Sequence, residues 1–189
     1  MLRCLLFGLL ILLIMFLVPQ GAKLFSSVRQ KACYKFALLA GYMGELVWVT
    51  LFSRLGRNIS CARFQPFYVL RQMLNCWMGG GHISAARCRA IFKNSAHLLD
   101  GSRATPVEDL CLNMILFIPF GFLLPYVWPK LNFYKTVLLS LIFSILIEGL
   151  QYIAHLGCCD IDDVINDTLG TCLGYLCWVC YKKVTHLAK

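Results

Sequence analysis

The chain has 189 residues, of which 59% are hydrophobic and 14% charged, with a formal net charge of +9. Soluble domains carry roughly a quarter charged residues, so this composition excludes an ordinary soluble domain and points to a polytopic membrane protein. The length suits one domain, and the basic residues sit between apolar blocks, which indicates topology and anionic headgroups and excludes a nucleic-acid module.

Five apolar blocks follow in chain order, and a bilayer span takes about 20 such residues, within a range of roughly 17–25. The first, Cys4–Val18, carries no charge. A secretory signal peptide is its alternative reading, but Val18-Pro19-Gln20-Gly21-Ala22-Lys23 makes a poor cleavage site. Residues 1–35 are therefore expected to form an additional N-terminal transmembrane helix and a basic loop containing Lys23, Arg29, Lys31 and Lys35. The second block, Phe36–Phe52, contains Glu45 as its one charge.

A long segment, Ser53–Thr105, comes next, with eight basic residues and the single acid Asp100. Within it, Pro66 precedes Phe67, Leu70, Met73, Leu74 and Trp77, with Arg71, Gln72 and Asn75 between them. That spacing predicts a short amphipathic helix, lying in the membrane interface or packed on the bundle. Gly79-Gly80-Gly81 ends it, and Ile83–Leu99 could form a second helix.

The third block, Leu110–Trp128, has no charge; Asn113 is its polar residue, and Pro119 and Pro125 are expected to kink it. A short turn leads to the fourth, Phe133–Ile153. There Ser140, Ser144, Glu148, Gln151 and His155 fall on one helical stripe. A charge deep in a bilayer costs at least about 2.5–3.5 kcal/mol on insertion scales, so Glu148 should face the bundle interior or water. It could exchange a proton, hold a cation, or fix packing through an interhelical hydrogen bond.

An acidic turn, His155–Asp163, leads to the last block, Val164–Tyr181, and residues 182–189 are a basic tail. Asp163, Asp167, Gly170 and Gly174 share a face, on which Gly170 and Gly174 form a helix-packing pair admitting a close neighbour. The short turn should bring this face against the stripe, gathering Glu148, Gln151, His155, Asp160, Asp163 and Asp167. Four carboxylates there would need protons, a cation or the basic long loop to offset them. The spacing is not an EF-hand loop, and no metal or cofactor is expected. Asp160 also sits where an aspartate would cap the last helix. The eleven cysteines form no metal-ligand set, and Cys177-Trp178-Val179-Cys180 reads as small buried apolar packing rather than a redox motif.

The fold class expected is thus all-α: a transmembrane bundle of about five spans with a short interfacial helix in the long loop. Basic residues divide almost evenly between the two sides. The short, acid-poor loops break the tie, placing Gln20–Lys35 and the tail in the cytoplasm and the long and acidic loops outside.

The ordered polar residues carry a resemblance. Asn113-Met114-Ile115-Leu116-Phe117-Ile118-Pro119-Phe120-Gly121 resembles the N-x-x-x-F-x-P-F-G segment of VanZ-like membrane proteins. Ser144 through Gln151 is similar to their S-x-x-x-E-x-x-Q, and Asp160-Ile161-Asp162-Asp163 through Gly174 to their D-x-x-D followed by N-T-x-G-x-x-x-G. Thr50-Leu51-Phe52-Ser53-Arg54 and Phe64-Gln65-Pro66-Phe67 fit the first helix exit and a P-F element. The resembling domain is 36–181. Two positions depart from the pattern: Gly157 stands where many members have an arginine, and Asp167 where they have the asparagine before T-x-G.

The resemblance implies a bacterial cell-envelope protein, multi-pass in the cytoplasmic membrane, in a family whose named member is associated with lower sensitivity to teicoplanin-type glycopeptides. Membrane lipids and a lipid-linked wall precursor are the partners it suggests. The leading expectation is a non-transporting protein whose outer mouth, lined by Glu148, Gln151, Asp160 and Asp163, engages a polar headgroup or wall precursor. One alternative is a membrane enzyme acting on a lipid-linked substrate, with Glu148 as acid or base and Asp160 or Asp163 holding a cation. The other is a small ion-coupled transporter or channel subunit, which the lack of paired repeats disfavours. Oligomeric state is open.

Overall fold

The computed structural model describes residues 20–56, 58–68, 71, 74 and 106–187. Four long helices dominate this part: α1 Val28–Thr50, α2 Pro106–Val127, α3 Phe133–Ile153 and α4 Ile161–Leu187. The apolar block Cys4–Val18 and the possible helix Ile83–Leu99 lie outside the described residues. So does most of the amphipathic segment after Pro66, of which Tyr68, Arg71 and Leu74 are helical.

Among the described residues, two stretches are long and apolar enough to cross a bilayer, Leu110–Val127 in α2 and Phe133–Ile153 in α3. α1 and α4 are long enough, at 23 and 27 residues. Glycines, tyrosines, Lys35 and Glu45 dilute the apolar character of α1, and aspartates and lysines that of α4.

Helices consecutive in the chain run antiparallel, whereas α2 and α4 pack parallel to each other. The Lys35 ammonium near the start of α1 donates to the Tyr126 carbonyl near the end of α2, at 3.2 Å, and lies over the Tyr126 ring. There it satisfies a carbonyl left open by the helix end. Further along, the Tyr42 hydroxyl donates to the Leu116 carbonyl at 2.7 Å. That carbonyl lies in the turn preceding Pro119. Asn132 starts α3 by accepting from the Lys135 N–H at 3.0 Å, as an N-cap should. The core is aromatic: Phe117 and Phe120 pack together, while Phe122 and Tyr126 meet Trp178 and Tyr181 of α4.

The tightest packing is between α2 and α4. A side chain on Gly170 would run into the Met114 carbonyl, one on Gly174 into the Ile118 carbonyl, and one on Gly121 into the Thr171 carbonyl. Three glycines thus let two backbones touch. The neighbour they admit is α2, not α3.

The structure departs from an all-α reading at one end. β1, Ile59–Arg63, and β2, Leu156–Asp160, form a two-stranded parallel sheet, with Ile59 opposite Leu156 and Arg63 opposite Asp160. Cys61 and Cys158 face each other in this register and are joined by a disulfide. β1 follows α1 closely and β2 joins α3 to α4, so the sheet closes the same end of the bundle that the acidic residues occupy.

Candidate functional site

The stripe on α3 is buried as the periodicity requires. Thr136, Ser140, Ser144, Glu148 and Gln151 are all inside. His155 is not: it is exposed and takes a positive φ of 56° just beyond the helix. Reversing the chain after Ala154 needs a left-handed residue there, and this swings His155 away from the stripe. It does not belong to the cluster.

Each buried polar group on the stripe meets a partner. The Ser140 and Thr171 hydroxyls share a 2.6 Å hydrogen bond, and the Ser144 hydroxyl donates to Asp167 Oδ2 at 2.6 Å. α3 and α4 are therefore joined by a polar seam along their buried length, as polar residues in bilayer-type bundles commonly are. The face of α4 is split: Gly170 and Gly174 press on α2, while Asp167 and Thr171 turn to α3.

Glu148 accepts a hydrogen bond from the Asp160 N–H at 2.8 Å. Gln151 is 1% exposed; its amide nitrogen donates to the Thr50 carbonyl at 3.0 Å, and its oxygen accepts from Arg54 Nη1 at 3.1 Å. Arg54 thus comes in from the turn after α1, and its guanidinium lies 3.1 Å from where a Cβ on Gly157 would sit. The site carries a guanidinium at Gly157 even though residue 157 itself is glycine.

Asp160 does several things at once. Its Oδ1 accepts from the Asp162 N–H at 3.0 Å, capping α4. Its Oδ2 lies 3.3 Å from Arg63 Nε, an ion pair in which that nitrogen makes no hydrogen bond. Burial pushes the Asp160 carboxyl above the usual carboxylate range, while the Asp162 N–H and the Arg63 charge pull the other way. The thiol of Cys159 is raised likewise, first by burial and then by the charges of Glu148, Asp160 and Asp163.

Asp162, Arg54 and Arg63 were not among the residues singled out from the sequence. Asp162 is buried, and its carboxylate accepts from the Phe67 N–H at 2.5 Å, with Phe67 held at a positive φ of 58°. The P-F element of the long loop therefore docks on the first turn of α4. Its proline preceding a fixed backbone donor was the available signal, as was the surplus of arginine in a loop beside four carboxylates. Asp163 is half-buried within electrostatic range of Glu148 and Asp167. Asn113 is half-buried on α2, next to the Met114 carbonyl that Gly170 contacts. Among the described residues, no group of three or more His, Cys, Asp or Glu side chains is placed to hold a metal ion.

Helices joined by polar seams, two of them apolar enough for a bilayer, with a carboxylate and guanidinium network closing one end, define a polar-cored helical bundle. The chain belongs to the VanZ/LLP1 family, whose sequence model matches residues 4–182. It is 40% identical over 67 residues to Protein VanZ of Enterococcus faecium. That stretch is 35% of this chain and 42% of the relative, so the match spans less than half the length of that protein. No solved structure matches. Family membership makes this a VanZ-like cell-envelope protein.

Proposed function

We propose that the protein is a multi-pass component of the bacterial cytoplasmic membrane whose carboxylate and guanidinium end engages a polar headgroup or a lipid-linked wall precursor. On this reading α1 and α4 join α2 and α3 as membrane spans, and engagement of the precursor lowers sensitivity to teicoplanin-type glycopeptides. The observation that carries it is the meeting of Glu148, Gln151, Asp160, Arg54 and Arg63 at one end of an apolar bundle. Ionised and amide groups are expensive to bury, and this end offers both signs of charge to a headgroup that has both.

A deletion strain and the same strain carrying the gene test it. Glycopeptide susceptibility, binding of a fluorescent teicoplanin to whole cells, and the profile of lipids and wall precursors are compared. Reduced teicoplanin binding with unchanged chemistry in the complemented strain supports engagement. A new or missing precursor species would replace it with an enzyme. Identical susceptibility, binding and chemistry in the two strains would remove the proposal.

A further inference from the structure

We propose that the Cys61–Cys158 disulfide is a covalent clasp made on the outer face of the membrane, holding β1 on the carboxylate end of the bundle and opened by external thiols. The inference rests on the membrane reading above and adds sidedness and redox control to it.

The geometry comes first. The two cysteines occupy directly paired positions of adjacent strands, with Cα atoms 4.4 Å apart, and they lie 97 residues apart in sequence. That separation falls within the range a disulfide spans without backbone movement, roughly 4.4–6.8 Å. Two residues beyond each cysteine, Arg63 faces Asp160 in the same register. The covalent link therefore fixes the alignment that brings the arginine to the carboxylate.

The compartment follows from two independent observations. Disulfides persist in oxidising spaces and are rare in the cytosol. At the opposite end of the bundle lie Arg29, Lys31, Lys35, Lys130, Lys135, Lys182 and Lys183, with no acidic residue among the described residues there. The sheet end is basic too, with Arg54 and Arg63 among its residues, but there the arginines share a long loop beside carboxylates; it is the short, acid-poor basic loops that stay in the cytoplasm. Both arguments set the sheet outside.

Among the described residues, Cys159 is the nearest rival for the bond, being next to Cys158 and free. Burial first, and then the charges of Glu148, Asp160 and Asp163, raise its thiol, and a protonated thiol is a poor nucleophile in disulfide exchange. The pairing is thereby protected from internal reshuffling. In forming the clasp, the thiols of Cys61 and Cys158 lose two electrons and two protons to a disulfide-bearing thiol oxidant of the extracytoplasmic space, which becomes a dithiol. In opening it, an external thiolate attacks the more exposed sulfur, that of Cys61, and releases the Cys158 thiolate. A second thiolate resolves the mixed disulfide at Cys61.

The test uses the full-length protein in intact cells, labelled with a membrane-impermeant maleimide and read by peptide-mapping mass spectrometry. Cys61 and Cys158 should stay unlabelled until a membrane-impermeant phosphine reductant is added, and Cys61 should then label. Cys33, exposed at the basic end, should label only after permeabilisation. Labelling of Cys61 without reductant, or only in permeabilised cells, would overturn the clasp. An alkaline carbonate wash separates this from the parent reading: release of the protein from the membrane would overturn both, whereas retention with free thiols would overturn the clasp alone.

Discussion

Arg54 donates to the side-chain oxygen of Gln151 at 3.1 Å, joining two positions 97 residues apart at a buried point between α1 and α3. Gln151 spends its other end on the Thr50 carbonyl, so one amide links the last turn of α1, the turn after it and the last turn of α3. The Arg54→Ala variant should leave the Gln151 oxygen buried without a donor, a loss of about 1–3 kcal/mol. Its thermal midpoint in detergent should fall by several degrees, and Arg54→Lys should fall between it and the parent because an ammonium cannot reproduce the fork. An unchanged midpoint for Arg54→Ala would show that the contact contributes nothing.

The glycine seam makes a sharper case. Replacing Gly170 or Gly174 with alanine sets a methyl against a backbone carbonyl of α2, and a backbone cannot rotate aside as a side chain can. Separation of α2 from α4 should cost on the order of 1–3 kcal/mol, read as lower membrane abundance and a lower midpoint. Gly149, inside α3, meets nothing within 4 Å at its Cβ position, so Gly149→Ala is the control and should lower neither measurement, since alanine is the better helix former. Equal behaviour of Gly149→Ala and Gly170→Ala would contradict this packing.

The seam also marks how far the sequence could be read. A close approach at Gly170 and Gly174 was legible because only small residues allow it, but the spacing could not say which helix approaches. The nearer helix in sequence, α3, was the natural choice, and α2 took the place because Gly121 supplies the matching gap. The stripe on α3 was legible as far as Gln151, since helical periodicity holds only inside the helix; His155 left it at a left-handed turn. The two strands were not legible. Each is five residues long, and Leu156-Gly157-Cys158-Cys159-Asp160 shows no alternation. Nor could spacing pair Arg54 and Arg63 with partners about a hundred positions away, because that pairing exists only once the sheet has closed.

Asp160 gives a pH-dependent prediction. Its carboxyl is raised in the folded protein, so folding favours the protonated form: its contribution to stability is present below the unfolded carboxyl pKa and is lost as pH rises through the folded one. Arg63 opposes this by favouring the charged form. Removing it with Arg63→Ala should therefore lower the thermal midpoint more at about pH 8 than at about pH 4, where an unperturbed aspartate of pKa about 3.9 is already half protonated. Equal losses at both pH values would mean that the Arg63–Asp160 pair has no electrostatic role.

Glu148 separates architecture from function. Its carboxylate accepts the Asp160 N–H at 2.8 Å, and it is 4% exposed. In Glu148→Gln the amide oxygen can take the same hydrogen bond with nearly the same shape, so the turn from α3 into α4 should survive and membrane abundance should stay within about twofold of the parent. What the amide cannot supply is a negative charge or an exchangeable proton. If Glu148 holds a cationic headgroup or moves a proton, the variant should lose the envelope phenotype at normal abundance. Glu148→Ala serves as the contrast, because it leaves the Asp160 N–H buried without an acceptor and should reduce abundance as well. Full function of Glu148→Gln at normal abundance would make Glu148 a structural carboxyl and move the search for chemistry to Asp160 and Asp163.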